Sequence, residues 1–185
     1  MENNSGLILK MQKAKLDYRN KAYRCIWNII YVLLFRTSPR LFFRWRILIL
    51  KIFGCQCDWS VRVYPKAKIW SPRQLTLGRS ATISNDVDIY NVSNVQIGDF
   101  TTISEKVFLC TASKTFNMKK RELLVGEISI GSECWIASGV SILPGIVIGD
   151  KAIILYGVII NEHIAPRTLV KCVKNFTIES RTDDN

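Results

Sequence analysis

The chain has 185 residues, 48% of them apolar, and a formal net charge of +11. That length suits one domain with a small appendage, and the apolar fraction excludes a disordered or purely solvating protein. The charge is uneven: residues 1–53 carry eleven Lys and Arg against Glu2 and Asp17, a net +9, while residues 54–185 carry fifteen against thirteen, a net +2. A uniformly basic nucleic-acid binder would not divide this way. A basic segment precedes a nearly neutral body.

The start, Met1-Glu2-Asn3-Asn4-Ser5, has neither the basic n-region nor the short apolar core of a secretory signal. The longest apolar run, Cys25 to Phe35 with Asn28 inside it, falls short of the roughly 20 residues of a spanning helix. The six cysteines form no CxxC pair and His163 is the only histidine, so no metal site is expected. Reduced, mostly buried cysteines point to a cytoplasmic protein, which the basic segment could hold peripherally at the inner face of the cell membrane.

From about Lys13 to Phe35, basic residues (Lys15, Arg19, Lys21, Arg24) precede Ile26, Trp27, Ile29, Ile30, Leu33 and Leu34. Thr37-Ser38-Pro39 reads as a break, with Ser38 as the cap of a second helix and Pro39 at its first position. That helix extends to about Phe53, and Gly54 is a natural stop. Two short basic helices rich in Trp, Phe and Leu suit an anionic membrane surface, engaged through residues 13–53. Each cation near such a leaflet contributes about 1 kcal/mol. The alternative is that the helices cap the following domain with their apolar faces, and both can hold at once.

The body repeats with a period of six. Val63 and Ile69 open the series; Leu77, Ile83 and Ile89 follow a two-residue slip; Ile97, Ile103 and Leu109 follow another. After an excursion come Ile130, Ile136, Ile142, Ile148, Ile154 and Ile160. Small or aliphatic residues lie four positions after most of these, among them Ala67, Ala81, Val87, Val107, Cys134, Val140 and Ala152. A period of six fits neither a helix nor a simple half-buried strand. It fits short strands joined by tight turns, three hexads to a triangular coil. About five coils result: 57–76, 77–96, 97–114, 130–147 and 148–165. The expected organisation is a basic helical arm over 1–54, a β-helix over 55–166 with a loop projecting at 115–129, and a C-terminal tail over 167–185.

These hexads resemble those of the hexapeptide-repeat acyltransferases, which form left-handed parallel β-helices. Within that family the chain is similar to acetyltransferases of colanic acid and other exopolysaccharide biosynthesis. The matching stretches are Arg62-Val63-Tyr64-Pro65, Ile89-Tyr90-Asn91, Leu109-Cys110-Thr111-Ala112-Ser113, Glu133-Cys134-Trp135-Ile136 and Ile142-Leu143-Pro144-Gly145. The resemblance implies a homotrimer that moves an acetyl group from acetyl-CoA to a sugar or lipid-linked saccharide, with its sites between subunits. A hydroxyl acceptor needs a base, and the developing oxyanion needs a donor.

The family's catalytic histidine follows a serine just before the projecting loop; here the pair reads Ser113-Lys114. Lys114 would need its pKa lowered from about 10.4 to act as a base near neutral pH. By the same resemblance Asn91, Trp135 and Ser113 meet the acceptor, and the Ser138 backbone N–H meets the thioester oxygen. Tyr156 and Gly157 lie along the cofactor path, where the family has smaller residues than Leu155 and Tyr156. Arg167, Lys171 and Lys174 could meet the CoA phosphates. Two functions compete: an O-acetyltransferase of cell-envelope polysaccharide assembly with an altered site, or an inactive β-helix scaffold at the membrane. Nucleic-acid binding is not expected, since the arm is too apolar and holds no recognisable module.

Overall fold

The computed structural model describes residues 12–13, 18–114 and 123–172. Its body is a parallel β-helix of five coils and part of a sixth. Each coil contributes one short strand to each of three flat sheets. The first face stacks Gln56–Cys57, Leu75–Leu77, Val95–Ile97, Ile128–Ile130 and Val147–Ile148. The second stacks Arg62–Val63, Thr82–Ile83, Thr102–Ile103, Trp135–Ile136, Ile153–Ile154 and Leu169–Val170. The third stacks Lys68–Ile69, Asp88–Tyr90, Phe108–Cys110, Ser141–Ile142 and Ile159–Ile160.

In a two-residue strand one side chain points in and the next points out. The inward position is the aliphatic residue of each hexad, and all of the series from Val63 to Ile160 are at most 5% exposed. The register is in step, with Ile69 beside Ile89 and Ile83 beside Ile103. Aliphatic side chains therefore stack as ladders through one narrow core. The two slips are corners between the third and first faces: a 3-10 turn at Pro72–Gln74, and the segment 91–94.

The coils touch most closely where the first face turns into the second. A Cβ on Gly98 would lie 2.6 Å from the Gly131 backbone, so glycine is required there. The next residues take left-handed backbone, including Ser80, Phe100, Glu133, Lys151 and Arg167. The corner between the second and third faces does the same with Asp86, Lys106, Gly139 and Gly157.

The excursion leaves the third-to-first corner as a hairpin. Ala112–Lys114 pairs antiparallel with Leu123–Val125, which pairs in turn with Gln12–Lys13. The Gly126 N–H donates to the Thr111 carbonyl at its base.

Two helices close the N-terminal end of the core. Helix α1 spans Tyr18–Ile30 and runs into a π-helical turn at Tyr31–Phe35; α2 spans Phe43–Ile52. Trp27, Phe35, Ile47 and Leu50 are fully buried and join the core of the solenoid. The Trp27 indole N–H donates to the Ile69 carbonyl at 2.7 Å.

One expectation is corrected here. Ser38 does not cap α2 and Pro39 is not its first residue. The helix begins at Phe43, after Phe42, with no side-chain cap. The reason is Arg46, which is fully buried. Its guanidinium draws the preceding turn around itself, donating to the Ser38 hydroxyl, the Pro39 and Arg40 carbonyls, and Val63 of the first coil. Gly54 does end α2, at φ +86°.

Candidate functional site

The candidate residues fall on two different corners. Ser113 and Lys114 lie on the hairpin leaving the third-to-first corner, where Lys114 pairs with Leu123 in the backbone register. Trp135, Ser138, Tyr156 and Gly157 gather at the second-to-third corner of the upper coils. The two groups flank opposite edges of the third face, so one chain alone does not bring them together.

The second-to-third corner is built rung upon rung. Trp135 opens its strand half exposed, and its indole N–H donates to the Ser104 hydroxyl of the coil below at 3.2 Å. The Ser138 hydroxyl donates to the Glu105 carboxylate at 3.4 Å, and Gly139 N–H donates to the Glu105 carbonyl. Gly157 N–H donates to the Ser138 carbonyl at 3.2 Å. Among the described residues no acceptor takes the Ser138 N–H. An unspent N–H at an exposed corner is the kind of donor that an oxyanion needs.

Above this point the corner carries little bulk. A Cβ on Gly157 would meet nothing within 4 Å, and one on Gly139 would meet only the edge of the Tyr156 ring at 3.5 Å and the Gly157 backbone at 3.9 Å. Tyr156 is 75% exposed, so its ring forms a wall beside the corner rather than filling it. Lys171 follows the last strand of the second face, directly over Leu155, whose N–H donates to the Val170 carbonyl. A slender arm ending in phosphates fits this arrangement, with the glycines as its bed and Lys171 at its end. Arg167 stands apart, at the first-to-second corner, where its N–H donates to the Asp150 carbonyl. Lys174 lies outside the described residues.

Asn91 sits elsewhere. It is fully buried at the third-to-first corner, its Oδ1 accepting from Ser71 N–H and its Nδ2 donating to the Ser71 and Gln74 carbonyls. Both ends of its amide are spent on the corner, which leaves nothing to present to an acceptor. His163 is also spent within the chain: its Nδ1 accepts from Val147 N–H at 3.0 Å, closing the edge of the first face.

Glu105 was not anticipated from sequence, although the hexad period places it at the same corner as Ser138. A groove of about 810 Å³ between α2 and the first coils was also missed. Its walls depend on how α2 docks, and no sequence period carries that.

No protein-family model matches the chain. The chain is 34% identical over 129 residues to a protein of Escherichia coli K12 assigned as a colanic acid biosynthesis acetyltransferase, WcaF; the match covers 70% of this chain and 71% of that one. Its fold is that of a maltose O-acetyltransferase from Clostridium difficile 630, with a TM-score of 0.76 at 23% identity over 86% of each chain. It is also that of a hexapeptide-repeat acetyltransferase from Vibrio cholerae solved with acetyl coenzyme A, with a TM-score of 0.73 at 20% identity over 83% of this chain and 84% of that one.

Proposed function

Because the chain belongs to the hexapeptide-repeat acetyltransferases, left-handed β-helix proteins, we propose that it transfers the acetyl group of acetyl-CoA to a hydroxyl of a saccharide in cell-envelope polysaccharide assembly. It works as a homotrimer, peripherally at the inner face of the cell membrane. The observation that carries this reading is the second-to-third corner, where the unspent Ser138 N–H lies between Trp135 and the open bed at Gly157.

The acceptor oxygen attacks the thioester carbonyl carbon, a C–O bond forms, and the C–S bond breaks. Ser138 N–H receives the charge that develops on the carbonyl oxygen. The acceptor's proton passes to the neutral amine of Lys114, at the position of the family's histidine, and from there to the departing CoA thiolate. Lys114 and Ser138 come from neighbouring subunits, since they stand at separate corners of one chain. Trp135 and Ser113 line the acceptor side. Tyr156, Gly157 and Lys171 hold the coenzyme, with Arg167 and Lys174 as further partners for its phosphates. Asn91 acts through the corner that it ties.

The test is CoA binding by calorimetry together with thiol release from acetyl-CoA, using maltose and galactosides as probe acceptors. Free lysine titrates near 10.4, so transfer is expected to climb toward alkaline pH and to vanish in Lys114→Met. Lys114→His moves the rising limb down toward about 6.5, the ordinary histidine value. Neither heat nor thiol release in the wild type would sink the enzymatic reading. A second reading would then stand: an inactive β-helix partner in polysaccharide assembly, favoured by a lysine where the family has its base.

A further inference from the structure

The outer side of the helical arm carries a line of connected grooves. Ile29, Val32 and Leu33 line a hollow of about 390 Å³ where α1 runs into the π-helical turn. Leu33 also lines the next, about 350 Å³, with Leu34, Phe42 and Trp45. Phe42 and Trp45 in turn line the 810 Å³ groove, which Arg44 of α2 and Trp59 and Arg62 of the first coil also line. The line is apolar at one end and cationic at the other, and no acidic residue lines it, although the Asp58 carboxylate accepts from Ser60 at its wall.

Its apolar residues are more exposed than any fold requires, with Leu41 81%, Leu33 62% and Phe42 56% exposed. So contiguous a patch marks an interaction surface. Three cations of the arm serve the fold. Arg24 stacks on Trp70, Arg40 lies over Tyr64, and Arg46 is buried among carbonyls. Arg44 and Arg62 differ: both are exposed, and among the described residues neither forms an ion pair. The stretch from residue 18 to 53 contains no Asp or Glu. A second copy of the same arm would bring like charge against like charge, so charge complementarity selects an anionic occupant. An arginine fork matches phosphate bidentately, and tryptophan favours the polar–apolar boundary of a bilayer.

We propose that this line of grooves is a phospholipid site. Arg44 and Arg62 hold the headgroup phosphate of an anionic bilayer lipid beside Trp59, and Leu33, Phe42 and Trp45 take the start of its acyl chains. The inference rests on the membrane-side reading above and adds a defined site to it.

The full chain, without acetyl-CoA, is sedimented with phosphatidylcholine vesicles that contain or lack phosphatidylglycerol. It is also titrated with monomeric dihexanoylphosphatidylglycerol and with glycerol phosphate. Binding to the phosphatidylglycerol vesicles and saturable binding of the short-chain lipid are expected, with glycerol phosphate much weaker. Arg44→Gln combined with Arg62→Gln should weaken short-chain binding at least tenfold. Lys21→Gln combined with Arg36→Gln removes the same charge outside the groove and should leave that binding unchanged. A wild type that ignores phosphatidylglycerol vesicles overturns both the membrane-side reading and the site. Vesicle binding with equal losses in the two double variants overturns the site alone. Equal binding of glycerol phosphate makes it a free-phosphate site and overturns the lipid assignment. A lower oligomeric mass for Leu33→Ser with Trp45→Ser makes the face a contact between copies, which also overturns it.

Discussion

Arg46 shows how much one residue can organise. It is a cation with no carboxylate beside it, and burial pushes its pKa down. Its compensation is four acceptors from two stretches of chain: Ser38 to Arg40, and Val63 of the first coil. Arg46→Met keeps most of the aliphatic volume and leaves the Arg40 and Val63 carbonyls without a donor, while Pro39 keeps only the Phe42 N–H. Orphaned buried acceptors outweigh the relief of a buried charge, so a loss of about 2–3 kcal/mol is expected in urea unfolding. Arg46→Lys should recover less than half of it, because an ammonium cannot span acceptors that a planar fork reaches. Asp88 behaves oppositely. It is half-buried on the third face, and burial raises its carboxyl pKa, against the pull of Lys68 at 4.0 Å. A raised carboxyl costs the fold nothing below the unfolded value, and a penalty appears as pH rises through it. Asp88→Asn should therefore stabilise the protein at pH 7 by less than about 1 kcal/mol, since water still screens the site, and the gain should vanish near pH 3. Thermal unfolding at the two pH values checks the sign. The inward residues, such as Ile83 and Ile103, were legible in the sequence because period alone decides them. The role of Arg46 was not, because it depends on where an amphipathic helix comes to rest.

Among the elements, the coils follow from chemistry that repeats. Each rung places an aliphatic residue inward, a small residue at the next turn, and a tolerant backbone at the corner. The glycines between the first and second faces set how closely the rungs stack. At Gly98 a methyl group would lie 2.6 Å from the Gly131 carbonyl carbon and 2.6 Å from Ser132 N, and backbone cannot give way as a side-chain tip can. Directly beside it, Thr101 donates to the Gly131 carbonyl and accepts from Cys134 N–H. Gly98→Ala must part these coils and stretch both bonds. A loss of about 3 kcal/mol is expected in urea unfolding, at the upper end for an overpacked methyl group. A midpoint within error of the wild type would show that the rungs slide past one another instead. The corners were legible as slips in the period. Their occupants were only partly so: Asn91 stands in a stretch that matches the family, yet its amide ties the corner at Ser71 and Gln74. A motif reports position along the chain, whereas function also needs a free valence. The start of α2 was misread for a related reason, since the Ser38 hydroxyl that suits a cap is occupied by Arg46.

For the molecule as a whole, the outward column of the second face is the informative surface. Read from the N-terminal end, strand pairing sets Arg62, Thr82, Thr102, Trp135, Ile153 and Leu169 in register. The lower half is polar and borders the arm. The upper half exposes three large apolar side chains, 49%, 37% and 58% open to solvent. Outward positions of a solenoid do not stabilise its core, so such a column is explained by what covers it. Each 100 Å² of apolar surface removed from water is worth about 2.5 kcal/mol before association costs. The proposed homotrimer covers this column with a neighbour, and the same contact brings the hairpin of one chain toward the Ser138 corner of another. Ile153→Glu tests both consequences together. Its side chain points away from the core, so the coils should keep their circular dichroism and most of their thermal stability. Three carboxylates introduced at a shared apolar surface should reduce the sedimenting species from trimer to monomer, and acetyl transfer should fall with it while CoA binding weakens. A wild type that sediments as a monomer, or a variant that keeps the wild-type mass, would return this column to solvent. The two corners would then need another route to one reaction.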